Sequence, residues 1–175
     1  AQILTVEEVV DRADLVLLAV PDDVLPALAR ELPFHPGQFV VHCSGRYGVG
    51  VLQPAQARGA LPLALHPAMT LTGTSLDVDR LAGAPFGVTA PEPLRMAAEA
   101  LVVEMGGEPI WIPEEARTLY HAALAHSANH LITLVASGVE LMQEAGVENS
   151  ARLLTPLLQA SLDNAGPKMA RLSEL

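Results

Sequence analysis

One cysteine, Cys43, stands in 175 residues, so no disulfide can form within the chain, and that count points to a reducing compartment, the cytoplasm. Basic residues are scarce: 10 Lys and Arg face 20 Asp and Glu, for a net charge of -10. Such a chain has no field to gather a phosphate backbone, which excludes nucleic acid as a partner. A single cofactor phosphate asks for less, a few backbone N–H groups and a local cation. Charged residues make up only 17% and apolar ones half, which rules out disorder and fits one domain, or a domain with a helical appendage. No basic start followed by an apolar run opens the chain, so no secretory signal is expected. Internal repeats and low-complexity segments are absent, and so is the H-E-x-x-H pattern of a helical zinc site.

A second scarcity is local. Thr118 to Val139 holds no Asp, Glu, Lys or Arg, yet carries His121, His126, His130 and Asn129. At helical spacing His126, Asn129, His130 and Thr133 form one polar stripe, while Leu124, Leu131, Leu134 and Val135 supply apolar packing elsewhere. A buried imidazole or amide left unpaired costs about 1 to 3 kcal/mol. The stripe is therefore expected to face a ligand cleft, or a second helix across a domain or subunit interface. The segment is long enough to span a bilayer, but its His, Asn, Ser and Thr make insertion expensive, so a membrane helix is excluded.

What is present reads as alternating helix and strand. Thr5-Val6-Glu7-Glu8 is a capping box that opens a helix to about Ala13. Asp14 to Val20 is a continuous apolar run, the kind buried on both faces of a parallel sheet. Asp22 or Asp23 can cap a helix to about Leu32, and His35-Pro36-Gly37 then turns the chain into a second strand, Gln38 to Cys43. Val49 to Arg58 reads as a short helix and Leu61 to Leu65 as a third strand ending at His66-Pro67. Thr70 to Leu81 is expected to be irregular. Pro85 to Ala90 is a strand, Pro91 opens a helix to about Met105 that Gly106-Gly107 stops, and Glu108 to Ile112 is the last strand.

From Glu114 the pattern is purely helical, to Glu144 and then from Asn149 or Ser150 toward Asp163. Pro156 should kink the second helix or delay its start, and Gly166-Pro167 should end it. The spacing predicts an α/β part with a mostly parallel sheet over residues 1–112 and an all-helical part over 113–175.

Ligands of open α/β sheets lie beyond the carboxyl ends of the strands. Three such ends carry small or polar groups: Val20-Pro21-Asp22-Asp23, His42-Cys43-Ser44-Gly45 and His66-Pro67-Ala68-Met69-Thr70. Gly45, Gly48 and Gly50 give G-x-x-G-x-G, the dinucleotide spacing reversed, and read as turn glycines. His126 and His130 have the i, i+4 spacing of two metal ligands, but no third ligand accompanies them and no metal is expected. Nothing near Cys43 would lower its pKa, so it is not expected to act as a nucleophile. Ser44 and Thr70 are candidates for positioning, since no triad accompanies them.

The stretches ADLVLLAVPDD (Ala13 to Asp23), VVHCSG (Val40 to Gly45), ALPLALHPAMTLTG (Ala60 to Gly73), PFGVTA (Pro85 to Ala90) and YHAALAHSANHLITL (Tyr120 to Leu134) carry a resemblance. In order and type the chain resembles bacterial Rossmann-like oxidoreductases that join an NAD(P)-binding domain to a helical C-terminal dimerisation domain. These are relatives of pyrroline-5-carboxylate reductase, prephenate dehydrogenase and the β-hydroxyacid dehydrogenases. The resemblance implies a nucleotide-binding domain over 1–112, a helical dimerisation and substrate domain over 113–175, and NADP, or NAD, as cofactor. It implies that Val20, Pro21 and Asp22 flank the ribose and nicotinamide, that Ser44 and Gly45 lie at the nicotinamide end, and that His66 and Asn129 face the substrate.

Two departures stand out. The Gly-rich strand–turn–helix that takes the pyrophosphate is not in the given chain, and Ala125 stands where β-hydroxyacid dehydrogenases place a catalytic Lys four residues before the Asn. The expected chemistry is hydride transfer between nicotinamide and a small carbonyl or imine. His66 is the candidate proton donor, because an imidazole can give or take a proton near neutral pH. Asn129 is the candidate for orienting the substrate. Thr70, His126 and His130 are candidate substrate contacts, the two histidines being equally suited to packing or an interface. The helical part is expected to pair with a second copy as a homodimer. The alternative is a ligand-binding or regulatory protein that keeps the fold without the chemistry.

Overall fold

The computed structural model describes residues 3–172. Five strands form one sheet: β1 (Leu15–Leu18), β2 (Phe39–His42), β3 (Leu61–Pro67), β4 (Pro85–Thr89) and β5 (Glu108–Trp111), in that spatial order. All five fall where the apolar runs placed them. β1, β2 and β3 are parallel, as are β4 and β5. β3 and β4 are antiparallel, pairing His66 with Gly87 and Ala64 with Thr89. The sheet is thus mostly parallel with one reversal. A strand's composition does not encode its direction, and the β3–β4 connection holds only a six-residue helix rather than a full crossover helix.

The helices follow local chemistry. α1 (Val6–Arg12) begins with the expected capping box: Glu8 N–H donates to Thr5 Oγ1 at 3.3 Å and Thr5 N–H donates to Glu8 Oε2 at 2.8 Å. α2 (Leu25–Glu31) starts later than Asp22 or Asp23 would have it, after Val24 and with Pro26 in its first turn. The expected Val49–Arg58 helix divides into a 3₁₀ turn, Val49–Leu52, and α3 (Gln53–Gln56), where Pro54 tolerates only a first-turn position. α4 (Leu76–Leu81) lies in the stretch expected to be irregular. The Asp77 carboxylate organises it, accepting the N–H groups of Thr72, Gly73 and Thr74 and the Thr72 hydroxyl. α5 (Arg95–Glu104) is stopped by Gly106 at φ 79°. α6 (Arg117–Glu144) follows a 3₁₀ turn at Glu114–Ala116, and α7 (Ser150–Leu172) follows Gly146 at φ 77°. The backbone of α7 stays helical through Pro156 and past Gly166-Pro167, because each proline removes one N–H bond and the flanking turns persist.

Successive residues of β2 serve opposite faces. Val40 packs with Val16, Leu18, Leu25, Leu52 and Ala55, while Val41 packs with Leu63, Leu65, Phe86, Ala98 and Val102. Each fully buried aliphatic side chain is worth about 1.5 to 3 kcal/mol, so the two layers hold the sheet between α2 and α3 on one side and α5 on the other. β1 departs from the expectation of burial on both faces. Leu15 and Leu17 are 38% and 54% exposed and line an apolar groove with Cys43, Leu65 and Met105.

The chain divides into two compact units, Ala1–Leu124 and Ala125–Leu175. The sheet ends at the expected change of pattern near Ile112, and the first unit extends through the opening turns of α6. In the second unit, Leu154 of α7 packs 3.7 Å from the position a Cβ on Gly138 would take. Leu131, Ile132, Leu134, Leu141, Leu153 and Leu157 are exposed there. Among the described residues, no helix is long and apolar enough to cross a membrane.

Candidate active site

The turn after β2, the middle of β3 and the last residues of antiparallel β4 meet at one guanidinium. Arg117, in the first turn of α6, is 1% exposed. Its Nε donates to Thr89 Oγ1 at 2.7 Å, Nη2 to the carbonyls of Gly87 and Ala64 at 2.9 and 3.0 Å, and Nη1 to the Ser44 carbonyl at 3.4 Å. Thr89 passes the connection on, donating its hydroxyl to the Ile112 carbonyl at 2.6 Å. Burial lowers the Arg117 pKa, and neighbouring Tyr120 and Glu114 oppose that shift.

β2 ends in His42, which is fully buried. Its Nδ1 accepts the Ser44 N–H at 3.2 Å, so the proton of the neutral ring sits on Nε2, 2.9 Å from the Gly48 carbonyl. Burial lowers its pKa from 6.5 to about 4, and the Gly48 bond only partly offsets this. Ser44 Oγ accepts the Tyr47 N–H at 3.1 Å, fixing the turn that follows. His42 is thus a loop-shaping residue locked as a neutral imidazole.

On the next strand His66 Nδ1 lies 2.9 Å from the Tyr120 hydroxyl, with the two rings edge to face. Burial lowers the His66 pKa to about 4, assisted by the positive charge of Arg117. The Tyr120 hydroxyl packs so closely on the sheet that a Cβ on Gly87 would come within 2.5 Å of it. Burial raises the Tyr120 pKa, and the Arg117 guanidinium, 5.8 Å from its ring, acts in the opposite direction. The third ring is His121, whose centroid is 6.3 Å from that of His66 and whose Nδ1 is buried without a hydrogen-bond partner. Both imidazoles close on Gly45: a Cβ there would lie 2.6 Å from His121 Nδ1 and 2.8 Å from His66 Nε2. Only glycine leaves room for the pair.

The glycines at 48 and 50, read as turn residues, have a further use. The Glu114 carboxylate accepts the N–H groups of Val49 at 2.8 Å and Gly50 at 2.9 Å. A Cβ on Gly48 would fall 2.1 Å from Glu114 Oε2. The Glu114–Arg117 segment therefore clips the loop Ser44–Gly50 at both ends.

Among the residues singled out from sequence, Ser44, Gly45 and His66 come together at this edge. Val20, Pro21 and Asp22 follow β1 on the neighbouring parallel strand, and the charge of Asp22 reaches both His42 and His66. Thr70 is exposed on the loop after β3. Asn129, His126 and His130 belong to the second unit, where all three are exposed. Burial of the polar stripe is not found in the single chain. Two of its groups are satisfied within the helix instead: His130 Nδ1 lies 2.8 Å from the His126 carbonyl and Thr133 Oγ1 donates to the Asn129 carbonyl at 2.9 Å. The His126 and His130 rings lie 4.1 Å apart. Burial raises the Cys43 pKa, consistent with an inert thiol.

Arg117, Tyr120 and His121 were not singled out as site residues from sequence, nor was Glu114. Their signal was position: Arg117 is the last charge before a charge-free helix, and Tyr120-His121 opens it.

A family model described as "Domain of unknown function (DUF2520)" matches residues 84–171, and one described as "Rossmann-like domain" matches residues 1–67. No curated protein sequence matches the chain. Among solved structures, protein TM1727 from Thermotoga maritima is similar at 20% identity and a TM-score of 0.72, with 87% of this chain and 58% of that one covered. A 1-pyrroline-5-carboxylate reductase from Streptococcus pyogenes gives 15% identity, TM-score 0.68, and 91% and 60% coverage. A reductive aminase from Aspergillus terreus, solved with NADPH, gives 17% identity, TM-score 0.72, and 97% and 61% coverage. At these identities the likeness establishes the fold, a Rossmann-like α/β unit followed by helices. The chain spans only 58% to 61% of the length of these structures.

Proposed function

The chain belongs to the DUF2520 family, and from that premise we propose that it is part of an NAD(P)-dependent oxidoreductase that reduces a small carbonyl or imine. The observation that carries the reading is the closure of His66 Nε2 and His121 Nδ1 on Gly45 beside the carboxyl ends of parallel strands, the edge where α/β sheets take their ligands. The bare backbone at Gly45 and the unpartnered Nδ1 of His121 both fit a ligand held at this edge.

Ser44 and Gly45, with Val20, Pro21 and Asp22 on the adjacent strand end, would hold the nicotinamide half of NADP or NAD. Bound there, the cofactor supplies a hydride. The remaining work falls to protein groups. His66 stays neutral at physiological pH and, with Tyr120 donating to Nδ1, offers Nε2–H to the substrate oxygen or nitrogen, where negative charge builds. As that proton leaves, the Tyr120 hydroxyl can refill Nδ1, and the nearby Arg117 charge offsets the tyrosinate. The ring then ends neutral, as it began. In this reading His66 is the donor, acting as a neutral imidazole backed by a phenol. Asn129 enters the reading from its sequence motif alone, as the group that orients the substrate. The exposed leucines of the second unit support pairing with a second copy.

The test is binding of NADPH and NADH to a protein in which a Gly-rich strand–turn–helix precedes these residues, followed by melting temperature. A ligand at 100 times its Kd adds about 2.7 kcal/mol of stability, an easily measured shift. Absence of any shift with both cofactors would leave the fold without the chemistry.

A further inference from the structure

Beside the loop Ser44–Gly50 lies an open cleft of about 520 Å³, bordered by Pro26 and Arg30 of α2, by the Val49–Leu52 turn and Pro54, and by the segment Glu114–Thr118. That size suits a small molecule. Three of the chain's 10 basic residues line it: Arg30, Arg46 and Arg117. Its single acidic lining residue, Glu114, already has both oxygens engaged by the Val49 and Gly50 N–H groups. Three cations against one anion leave an excess of two positive charges, in a chain whose total is -10.

Among the described residues, none of these three arginines forms an ion pair. Arg117 is the telling one. It is a buried cation whose bonds all go to neutral oxygens, and the bond from Nη1 is long, at 3.4 Å. Glu114, the carboxylate whose charge reaches it, bonds to Val49 and Gly50 instead, so a further anion beside Arg117 relieves the cost of burying the charge. Arg30 sits in the last turn of α2, where the helix dipole favours a cation, so its presence has a local reason. Arg46 has none of that kind. It stands exposed between Gly45 and Tyr47, with its guanidinium 5.4 Å from the Tyr47 ring centroid, a contact that holds it at the rim.

We propose that this cleft binds the oxyanion group of a small molecule, a carboxylate or a phosphate, gripped by Arg46 and Arg30 with the charge of Arg117 behind them. A guanidinium presents paired N–H donors that match two oxygens of such a group. Tyr47 and Thr118, each with a neutral hydroxyl, also line the cleft. The proposal is independent of hydride transfer.

The experiment is thermal denaturation of the protein in sodium phosphate, in sodium succinate, and in sodium chloride at matched ionic strength. Phosphate or succinate should raise the melting temperature saturably beyond chloride, with an apparent Kd of about 1 mM. Arg46→Ala and Arg30→Ala should each weaken that binding at least about tenfold, while Arg12→Ala, outside the cleft, should leave it unchanged. Both rim arginines are exposed, so the variants should keep the wild-type circular dichroism. Whichever anion responds identifies the group. No saturable shift over chloride with either anion, or an unchanged Kd in both rim variants, would overturn the site. A protein that binds the anion but not NADPH would lose the oxidoreductase reading and keep this one.

Discussion

The hydroxyl of Tyr120 lies 2.9 Å from Nδ1 of His66, and the contact joins the first turn of a long helix to the end of a central strand. Removing that hydroxyl leaves the ring in place and takes away the group that sets the imidazole's tautomer. Tyr120→Phe should lower turnover of a carbonyl or imine substrate by about a hundredfold, the low end for a group acting in proton transfer. Stability should fall by only about 1 kcal/mol, the net worth of one hydrogen bond. Rates of NADPH oxidation beside urea denaturation check this, and an unchanged rate would assign the pair to packing alone.

Gly45→Ala tests the convergence on which the functional reading rests. The added methyl would come within 2.6 Å of His121 Nδ1 and 2.8 Å of His66 Nε2, so both rings must turn away. The expected result is a folded protein, by circular dichroism, that has lost NADPH-dependent turnover. Retained activity would mean that neither imidazole needs its present place.

Arg117→Leu should be severe. It abandons Thr89 Oγ1 and three carbonyls at the sheet's edge, and loss of a buried group of this kind costs about 3 to 5 kcal/mol. Arg117→Lys should recover little, because one ammonium cannot span three strands. Denaturant midpoints of the two variants measure this, and a Lys variant of wild-type stability would refute it.

Stability should fall on acidification from neutral pH. His42 and His66 titrate near 4 in the folded chain and near 6.5 when unfolded. Between those values the unfolded chain binds protons that the folded one does not, so stability is complete above pH 6.5 and is lost as pH falls toward 4. For fully buried His42 the loss is up to about 3 kcal/mol. His66 contributes less, since part of its ring is solvated. Urea midpoints at pH 7 and pH 5 should therefore differ, and His66→Gln should reduce the difference. A flat profile over that range would contradict the assignment of neutral rings.

The second unit should self-associate. Its exposed leucines on α6 and α7 leave apolar surface that a dimer would cover. Sedimentation over a range of concentrations should detect the pair, and a monomer at every concentration would exclude it.

Much of the first unit was legible because buried strands announce themselves. Val40-Val41 and Leu63-Ala64-Leu65 could hardly be anything but interior, and Thr5 with Glu8 marks a helix start by its own chemistry. The reversal of β4 was not legible, since an apolar strand reads the same in both directions. Nor was α4, whose start depends on the Asp77 carboxylate reaching back to three consecutive N–H groups, Thr72 to Thr74, rather than on a capping residue ahead of the helix. Within the site, strand-end positions gave Ser44, Gly45 and His66 directly. Arg117, Tyr120 and His121 are not legible because the helical periodicity marks the polar stripe at His126, Asn129 and His130, one to four turns further along the same helix, and gives no sign of what the first turn docks against. Gly48 and Gly50 read as turn punctuation in sequence, whereas their bareness seats a carboxylate 64 to 66 positions away.

Because Arg117 bonds to three neighbouring segments of the sheet from the root of α6, this margin of the sheet depends on that root staying docked. Unpeeling the helix's opening turn would strip the margin at once, leaving the interior layers below it intact. Amide exchange at Ser44, Thr89 and Arg117 should then share one opening rate, slower than the helix beyond and faster than Val40 or Val88 beneath.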